Sequence, residues 1–178
     1  IAMVSLPDYN PNNYYNYDIN TYNNHSISSA YEPGSTYKIV TTSLAVNNGI
    51  INLNQQFDCE NGEFRYSSIK NPSLFKVIHD HEPHESLTVS QILIESSNIG
   101  IFKIADIVGK QGVYKFSKKF GFGTKTGIEL PNESAGSLKS FDKWDWLSNN
   151  SISIGQEMAA TTLQTALAYA AIANGGYL

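Results

Sequence analysis

Two stretches of the chain place apolar residues at helical spacing between clear boundaries. Residues 35–48 follow a Pro-Gly pair and end before Gly49, which favours a helix closed by a glycine cap. Residues 111–120 carry Phe116 and Phe120 four positions apart, a spacing that puts both rings on one helix face. The pattern therefore predicts a helix over each stretch.

Two Thr-x-x-Gln segments have the spacing of a capping box, in which two side chains cap the first turn of a helix. The segment at Thr88 predicts a helix that breaks at residues 96–98 and resumes until Gly109 stops it. The segment at Thr161 predicts an alanine-rich helix that ends at Ala173.

Strand signals are shorter and fewer. Residues 1–6 (IAMVSL) are apolar and partly β-branched, which predicts a strand. Residues 50–66 alternate apolar and polar runs around Asn61-Gly62, which predicts a hairpin. The Asn- and Tyr-rich residues 8–24 and the glycine-punctuated residues 121–133 indicate surface loops. These elements together predict a helix-rich α/β or α+β domain.

Composition narrows the class of protein. The 178 residues make one domain of ordinary size, with a net charge of −4. An acidic chain without a basic patch argues against nucleic-acid binding. The single cysteine, Cys59, cannot form an internal disulfide. The chain does not begin with Met, opens inside an apolar stretch and ends where another element could begin, so we expect a fragment of a longer protein.

A candidate nucleophile lies in residues 32–38 (EPGSTYK). Ser35 and Lys38 are three residues apart at a predicted helix start, so both point to one face. A serine hydroxyl needs a base at hydrogen-bond distance, and Lys38 can serve if burial and the helix N-terminus disfavour its charged form. S-x-x-K is also common on surface helices, so this motif alone is weak.

A second motif, Ser96-Ser97-Asn98, lies in the break between two predicted helical stretches. One interpretation is a helix N-cap, which is compatible with a further role. The other gives the Ser96 hydroxyl a proton-relay role and lets the Asn98 amide hold a substrate carbonyl or position Lys38. S-x-x-K followed by S-x-N is the pattern of penicillin-recognising serine enzymes.

Segments that cover nearly the whole chain, in the right order, resemble class B penicillin-binding proteins. The Glu-Pro-Gly form of the first motif is similar to that of their division-specific subgroup. The similar segments are residues 2–12, 31–38, 87–100, 121–133 and 154–156, followed by 162–164 and 171–176. The resemblance implies a β-lactamase/transpeptidase-like fold, an antiparallel sheet flanked by helices, with residues 1–178 forming an incomplete transpeptidase domain.

The resemblance implies a peptidoglycan D,D-transpeptidase. Ser35 would attack the penultimate D-Ala carbonyl of a stem peptide, Lys38 would be the acylation base, Ser96 would relay a proton, and Asn98 would orient the substrate and Lys38. Implied partners are stem peptides, lipid-linked precursor, β-lactams and other division proteins, with no cofactor, metal or nucleic acid. The implied location is the inner membrane, with the catalytic domain in the periplasm.

Lys125-Thr126-Gly127 spells the third motif of these enzymes, but we do not assign it that role. It lies 29 residues after Ser96, much closer than the family places its catalytic K-[ST]-G. It also lies among glycines and Pro131, which indicates a loop instead of an apolar strand. The family has a similar glycine-rich loop here. We therefore expect the catalytic K-[ST]-G beyond Leu178.

Other interpretations stay open. A serine β-lactamase with a P-x-S-T-x-K segment is a close rival, although that class has an apolar residue where this chain has Asn98. A non-catalytic β-lactam sensor or division scaffold is a rival from another class. Residues 79–85 (HDHEPHE) look like a metal cluster, but zinc prefers three or four converging ligands, so we expect a polar loop there.

Overall fold

A computed structural model describes residues 2–177, which contain seven α-helices, seven β-strands and several short 3-10 turns. The helices are α1 (His25–Ser28), α2 (Lys38–Asn47), α3 (Val89–Ile94), α4 (Asn98–Val108), α5 (Lys110–Lys119), α6 (Ser148–Ser153) and α7 (Thr162–Ala173). The strands are β1 (Ala30–Tyr31), β2 (Gln56–Asp58), β3 (Glu63–Ser67), β4 (Phe75–His79), β5 (Ser86–Thr88), β6 (Ser137–Leu138) and β7 (Met158–Thr161).

The strands form three small antiparallel sheets. β7 lies between β1 and β6, with Ala30 opposite Thr161 and Leu138 opposite Met158. β2 pairs with β5, and β3 pairs with β4 so that Glu63 lies opposite His79. β5 runs directly into α3, and β7 runs directly into α7.

Helices α2 and α4 form the centre of the molecule. α4 is packed against α2, α3, α5 and α6, and its side chains Ile99, Ile101 and Ile104 are fully buried. A helix that is apolar nearly all round is buried on most sides, as α4 is. α2 contributes Ala45 to the core cluster that contains Ile101 and Ile104. The core thus fixes how the starts of α2 and α4 lie relative to each other.

Most helix predictions are confirmed. Both capping boxes form in both directions, at Thr88 with Gln91 and at Thr161 with Gln164. α4 ends at Gly109, whose positive φ of 77° suits glycine. Residues 121–133 form the predicted loop, and residues 8–24 are mostly exposed but contain two 3-10 turns. Among the described residues, no helix has both the length and the apolarity to cross a membrane.

Two strand predictions are wrong. Residues 2–6 form no strand, because no neighbouring strand pairs with them in the described part of the chain; position 1 lies outside it. Instead, Ser5 Oγ accepts a hydrogen bond from the His25 backbone at 2.8 Å.

The predicted hairpin over 50–66 does not form either. Asn61 and Gly62 do turn the chain, with φ of 51° and 86°. The strands on either side of this turn, however, pair with β5 and β4 and not with each other. Burial of Phe57 and Leu87 in one core cluster explains the first of these pairings.

Candidate active site

Ser35 lies in the 3-10 turn Gly34–Tyr37, which leads into α2. The sequence predicted that the α-helix begins at Ser35, but it begins at Lys38. Gly34 has a positive φ of 56°, so the chain enters through a tight turn before the first α-helical hydrogen bond. Ser35 is exposed on this turn, which leaves it accessible to a substrate.

The loop before β7 supports the turn that carries Ser35. The Gly34 N–H donates to the Gly155 carbonyl at 3.0 Å, and the Glu157 N–H donates to the Glu32 carboxylate at 2.9 Å. A Cβ atom at Gly155 would lie only 2.6 Å from the Gly34 nitrogen. The two backbones can therefore approach this closely only because residue 155 is glycine.

The buried side chain of Tyr37 anchors the same turn to the core. Its side chain is 1% exposed and packs edge-on against Phe122, with ring centroids 5.0 Å apart. Its hydroxyl makes a hydrogen bond with the Ser117 hydroxyl. Because Tyr37 lies between Ser35 and Lys38 in the sequence, this anchor limits the movement of both.

Lys38 is buried, and within residues 2–177 its ammonium group donates hydrogen bonds only to Ser96. Its Nζ donates to the Ser96 carbonyl and to Ser96 Oγ, the latter at 3.0 Å. Burial lowers the pKa of Lys38 to about 8, while the negative charge of Asp80 acts in the opposite direction. A neutral amine is thus accessible near neutral pH.

Ser96 connects α3 and α4 in a left-handed conformation, with φ of 56°. Non-glycine residues adopt this region rarely, and such strain is concentrated at functional sites. The conformation directs both the Ser96 carbonyl and its hydroxyl to Lys38. The structure therefore brings these two predicted site residues into direct contact.

Asn98 begins α4 beside Ser96 and is held from the other side. Its Nδ2 donates to the His79 carbonyl at 2.8 Å. Within residues 2–177, no hydrogen bond joins Lys38 to the Asn98 side chain or to Ser35 Oγ. The structure thus places Ser35 and Lys38 on one turn and joins Lys38 to Ser96, while the Asn98 amide is anchored to β4.

Sequence reasoning missed the role of Asp80. Its carboxylate accepts hydrogen bonds from the Asn98 N–H at 2.5 Å, the Ile99 N–H at 3.0 Å and the Ser97 hydroxyl at 2.5 Å. In the sequence, residues 79–85 resemble only a metal cluster. No group of three metal-ligating side chains converges in the described residues. A carboxylate distant in sequence from the helix that it caps leaves no local signal.

The Lys125-Thr126-Gly127 segment lies in a loop, as predicted. The Glu133 carboxylate accepts hydrogen bonds from the Thr126 N–H at 2.6 Å, the Thr126 hydroxyl at 2.5 Å and the Gly127 N–H at 3.2 Å. These bonds, the Thr126 hydroxyl first, lower the pKa of Glu133. The Thr126 and Gly127 donors of this segment are thus used within its own loop.

Comparison with known proteins identifies the family. Residues 1–178 match the family described as penicillin binding protein transpeptidase domain. A probable peptidoglycan D,D-transpeptidase PbpC from Pseudomonas aeruginosa is 32% identical over 178 residues, covering 100% of this chain and 30% of that protein. The peptidoglycan D,D-transpeptidase FtsI of Escherichia coli is 28% identical over 180 residues, covering 99% and 28%.

The fold comparison agrees with the sequence comparison. The transpeptidase domain of Burkholderia pseudomallei penicillin-binding protein 3 superposes with a TM-score of 0.78 at 29% identity, over 86% of this chain and 44% of that one. The chain spans about 30% of the length of the curated relatives above. It belongs to the penicillin-binding protein transpeptidase domain family and has the transpeptidase/β-lactamase-like fold.

Proposed function

We propose that the protein containing this chain is a serine D,D-transpeptidase that cross-links peptidoglycan stem peptides and is acylated by β-lactams. The observation that carries the proposal is the contact between the buried Lys38 amine and Ser96, next to the turn that exposes Ser35. A nucleophile, a base with a lowered pKa and a second hydroxyl in contact with that base are the groups that acyl transfer requires.

In the proposed reaction, Ser35 Oγ attacks the penultimate D-Ala carbonyl carbon, and the neutral Lys38 amine takes the hydroxyl proton. The new ester C–O bond forms as the amide C–N bond breaks, and a proton delivered through Ser96 leaves with terminal D-Ala. An amine of a second stem peptide then attacks the ester carbonyl carbon. The new amide C–N bond forms, the ester C–O bond breaks, and the proton that the amine loses is returned to Ser35 Oγ. A β-lactam acylates Ser35 in the same way, but the amine that ring opening frees stays covalently attached to the acyl group.

Asn98 is proposed to hold the substrate. Its Nδ2 bond to the His79 carbonyl fixes the orientation of the amide. A fixed amide offers its other polar atom at a constant position, which is the arrangement that orients a substrate without reorganisation. In this proposal Asn98 binds the stem peptide and does not act on Lys38 directly.

In this proposal, the third catalytic motif lies outside residues 1–178. A K-[ST]-G strand beyond residue 178 would complete the site, so residues 1–178 would be part of the transpeptidase domain. Lipid-linked precursor and other division proteins are proposed partners. The proposed location is the cell membrane, with the catalytic domain facing the periplasm.

The first test is labelling of the whole protein by a fluorescent penicillin. We expect Ser35→Ala to abolish the labelled band, because no acyl-enzyme can form without the hydroxyl. Ser43→Ala is a matched control, since Ser43 on α2 bonds only to the Val40 carbonyl of its own helix at 3.0 Å. A Ser35→Ala protein that still becomes labelled would sink the nucleophile assignment.

A further inference from the structure

Asp80 gathers three hydrogen-bond donors at the second motif. The Asn98 and Ile99 N–H groups share Oδ1, at 2.5 and 3.0 Å, and the Ser97 hydroxyl reaches Oδ2 at 2.5 Å. The first N–H groups of a helix have no partner within it, so a carboxylate here satisfies donors that would otherwise be unpaired. Both oxygens of Asp80 are thereby engaged.

These bonds hold the three residues that follow Ser96. Ser97 is also the N-cap of α4, because its hydroxyl accepts the Gly100 N–H at 2.9 Å. Ser96 itself is in the left-handed region, with φ of 56°. An unfavourable backbone conformation persists only where neighbouring contacts enforce it, and the contacts to residues 97–99 do so here.

Asp80 is itself fixed by the β3–β4 hairpin. It directly follows β4, and its N–H donates to the Gly62 carbonyl at 3.1 Å. The preceding residue, His79, accepts the Asn98 amide at 2.8 Å. The hairpin therefore docks on the start of α4 through two consecutive residues, which leaves the carboxylate little freedom.

Asp80 is also the charged group in the described structure that acts on Lys38. The charge of Asp80 also acts on the Cys59 thiol, which is 0% exposed. Burial raises the pKa of Cys59; the hydrogen bond with the Ser97 hydroxyl and the charge of Lys103 oppose this, and the charges of Asp80 and Asp58 add to it. Cys59 thus stays neutral around pH 7, and the charge behind Lys38 is that of Asp80.

We propose that Asp80 is a positioning residue of the active site: it holds Ser96 against Lys38 and places a negative charge behind the Lys38 amine. The inference rests on the proposed function, because its effect is transmitted to the acylation of Ser35. It assigns to the β3–β4 hairpin a role in catalysis that neither sequence motif contains.

The test is the pH profile of acylation of the whole protein by a fluorescent penicillin, with Asp80→Asn. Asparagine keeps the shape but removes the charge, so the bonds to residues 97–99 weaken and Lys38 loses the charge that favours its ammonium form. We expect the plateau acylation rate to fall tenfold or more. We also expect the acid limb of the profile to move to lower pH, because the Lys38 pKa falls.

Asp80→Glu separates position from charge. The longer side chain keeps the charge but displaces the oxygens, so the plateau rate should fall while the acid limb stays near that of the parent. This variant also keeps the test decisive if Asp80→Asn does not fold, since a parent-like plateau for Asp80→Glu would contradict the positioning role.

Asp106→Asn is the matched control. Asp106 is a carboxylate on α4 that accepts hydrogen bonds from the Tyr66 hydroxyl at 2.8 Å and the Asn150 amide at 2.9 Å, without a hydrogen bond to the second motif. It should keep the parent rate and acid limb. An Asp80→Asn protein with the parent plateau, or with the parent acid limb, overturns the inference. Labelling that survives Ser35→Ala instead overturns the proposed function, so the two failures are distinguishable.

Discussion

Burial of its amine lowers the pKa of Lys38. With the usual lysine pKa near 10.5, only about one amine in 3,000 is neutral at pH 7. At the Lys38 pKa of about 8, roughly one in ten is neutral. The contact with Ser96 then keeps this amine within reach of a second hydroxyl. Desolvation thus supplies a base that the same residue on a surface helix would not supply.

We predict that Lys38→Arg loses acylation by penicillin about 10²- to 10⁴-fold, the usual contribution of general acid–base catalysis. Arginine keeps the positive charge but does not release its proton in this pH range, so it cannot act as base. The parent should show an acid limb near pH 8, since acylation needs the form of Lys38 that prevails above its pKa. Stopped-flow acylation rates between pH 6 and 9 would measure both.

The comparison variant for this prediction is Lys103→Arg. Lys103 lies on α4 and pairs with Glu60 at 2.6 Å, outside the contact between Lys38 and Ser96. It should retain the parent rate and profile. A Lys38→Arg protein with near-parent acylation would show that another group removes the Ser35 proton.

At the scale of elements, the site depends on pairs of segments that approach each other closely. The turn before α2 rests on the loop at Gly155, and the start of α4 rests on the end of β4. Neither the loop at Gly155 nor the end of β4 contacts the reacting atoms in the proposed chemistry. Each fixes the backbone of a residue that does, so catalysis should respond to changes in packing there.

Gly155→Ala is predicted to lower the acylation rate strongly, because the new Cβ would overlap the Gly34 backbone and displace Ser35. Gly49→Ala is the matched substitution at the other end of α2. Gly49 also has a positive φ, 65°, but a Cβ added there would meet no other atom within 4 Å. This variant should lose only about 1–2 kcal/mol of stability from backbone strain and keep its acylation rate.

Thermal unfolding and acylation measured on the same two variants would decide this point. Equal acylation in both variants, relative to the parent, would mean that the close approach of residues 34 and 155 does not position Ser35.

At the scale of the whole molecule, α4 joins the site to the core. Its first turn carries Asn98 and the contacts to Asp80, and its later turns pack on α2, α5 and α6. The side chains of α6 add to this, since Asn149 and Asn150 donate to the Ala105 and Phe102 carbonyls at 2.9 and 3.0 Å. Loss of packing along α4 should therefore affect the stability of the domain as a unit.

Ile104→Ala is predicted to reduce the free energy of unfolding by about 2–5 kcal/mol, because a fully buried side chain is replaced by a cavity. Ile107→Ala, one turn further along the same helix, removes a side chain that is 50% exposed and should cost far less. Chemical denaturation of the whole protein, followed by a probe in this domain, would measure the difference. Similar losses for both variants would contradict the central position of α4.

Features that depend on residues close together in the chain could be predicted without a structure. The capping boxes at Thr88 and Thr161 and the stop at Gly109 act within one helical turn, so their residues could be recognised without a partner. The four predicted site residues rest on the same kind of local signal, because two short motifs in order carry them: Ser35, Lys38, Ser96 and Asn98. The prediction of a helix-rich α/β or α+β class followed from these elements.

Contacts between distant segments, in contrast, became known only from the folded chain. Three features depend on residues far apart in the sequence: the pairing of β2 and β3, the lack of a strand partner for residues 2–6 among the described residues, and the support of Gly34 by Gly155. Asp80 shows the reason most directly, since its three donors lie 17 to 19 residues away. The two backbone N–H groups among them lack a partner within α4 only because the helix begins there. Hydrogen-bond satisfaction and burial act between neighbours in space, and the spacing of residues along a chain does not encode that neighbourhood.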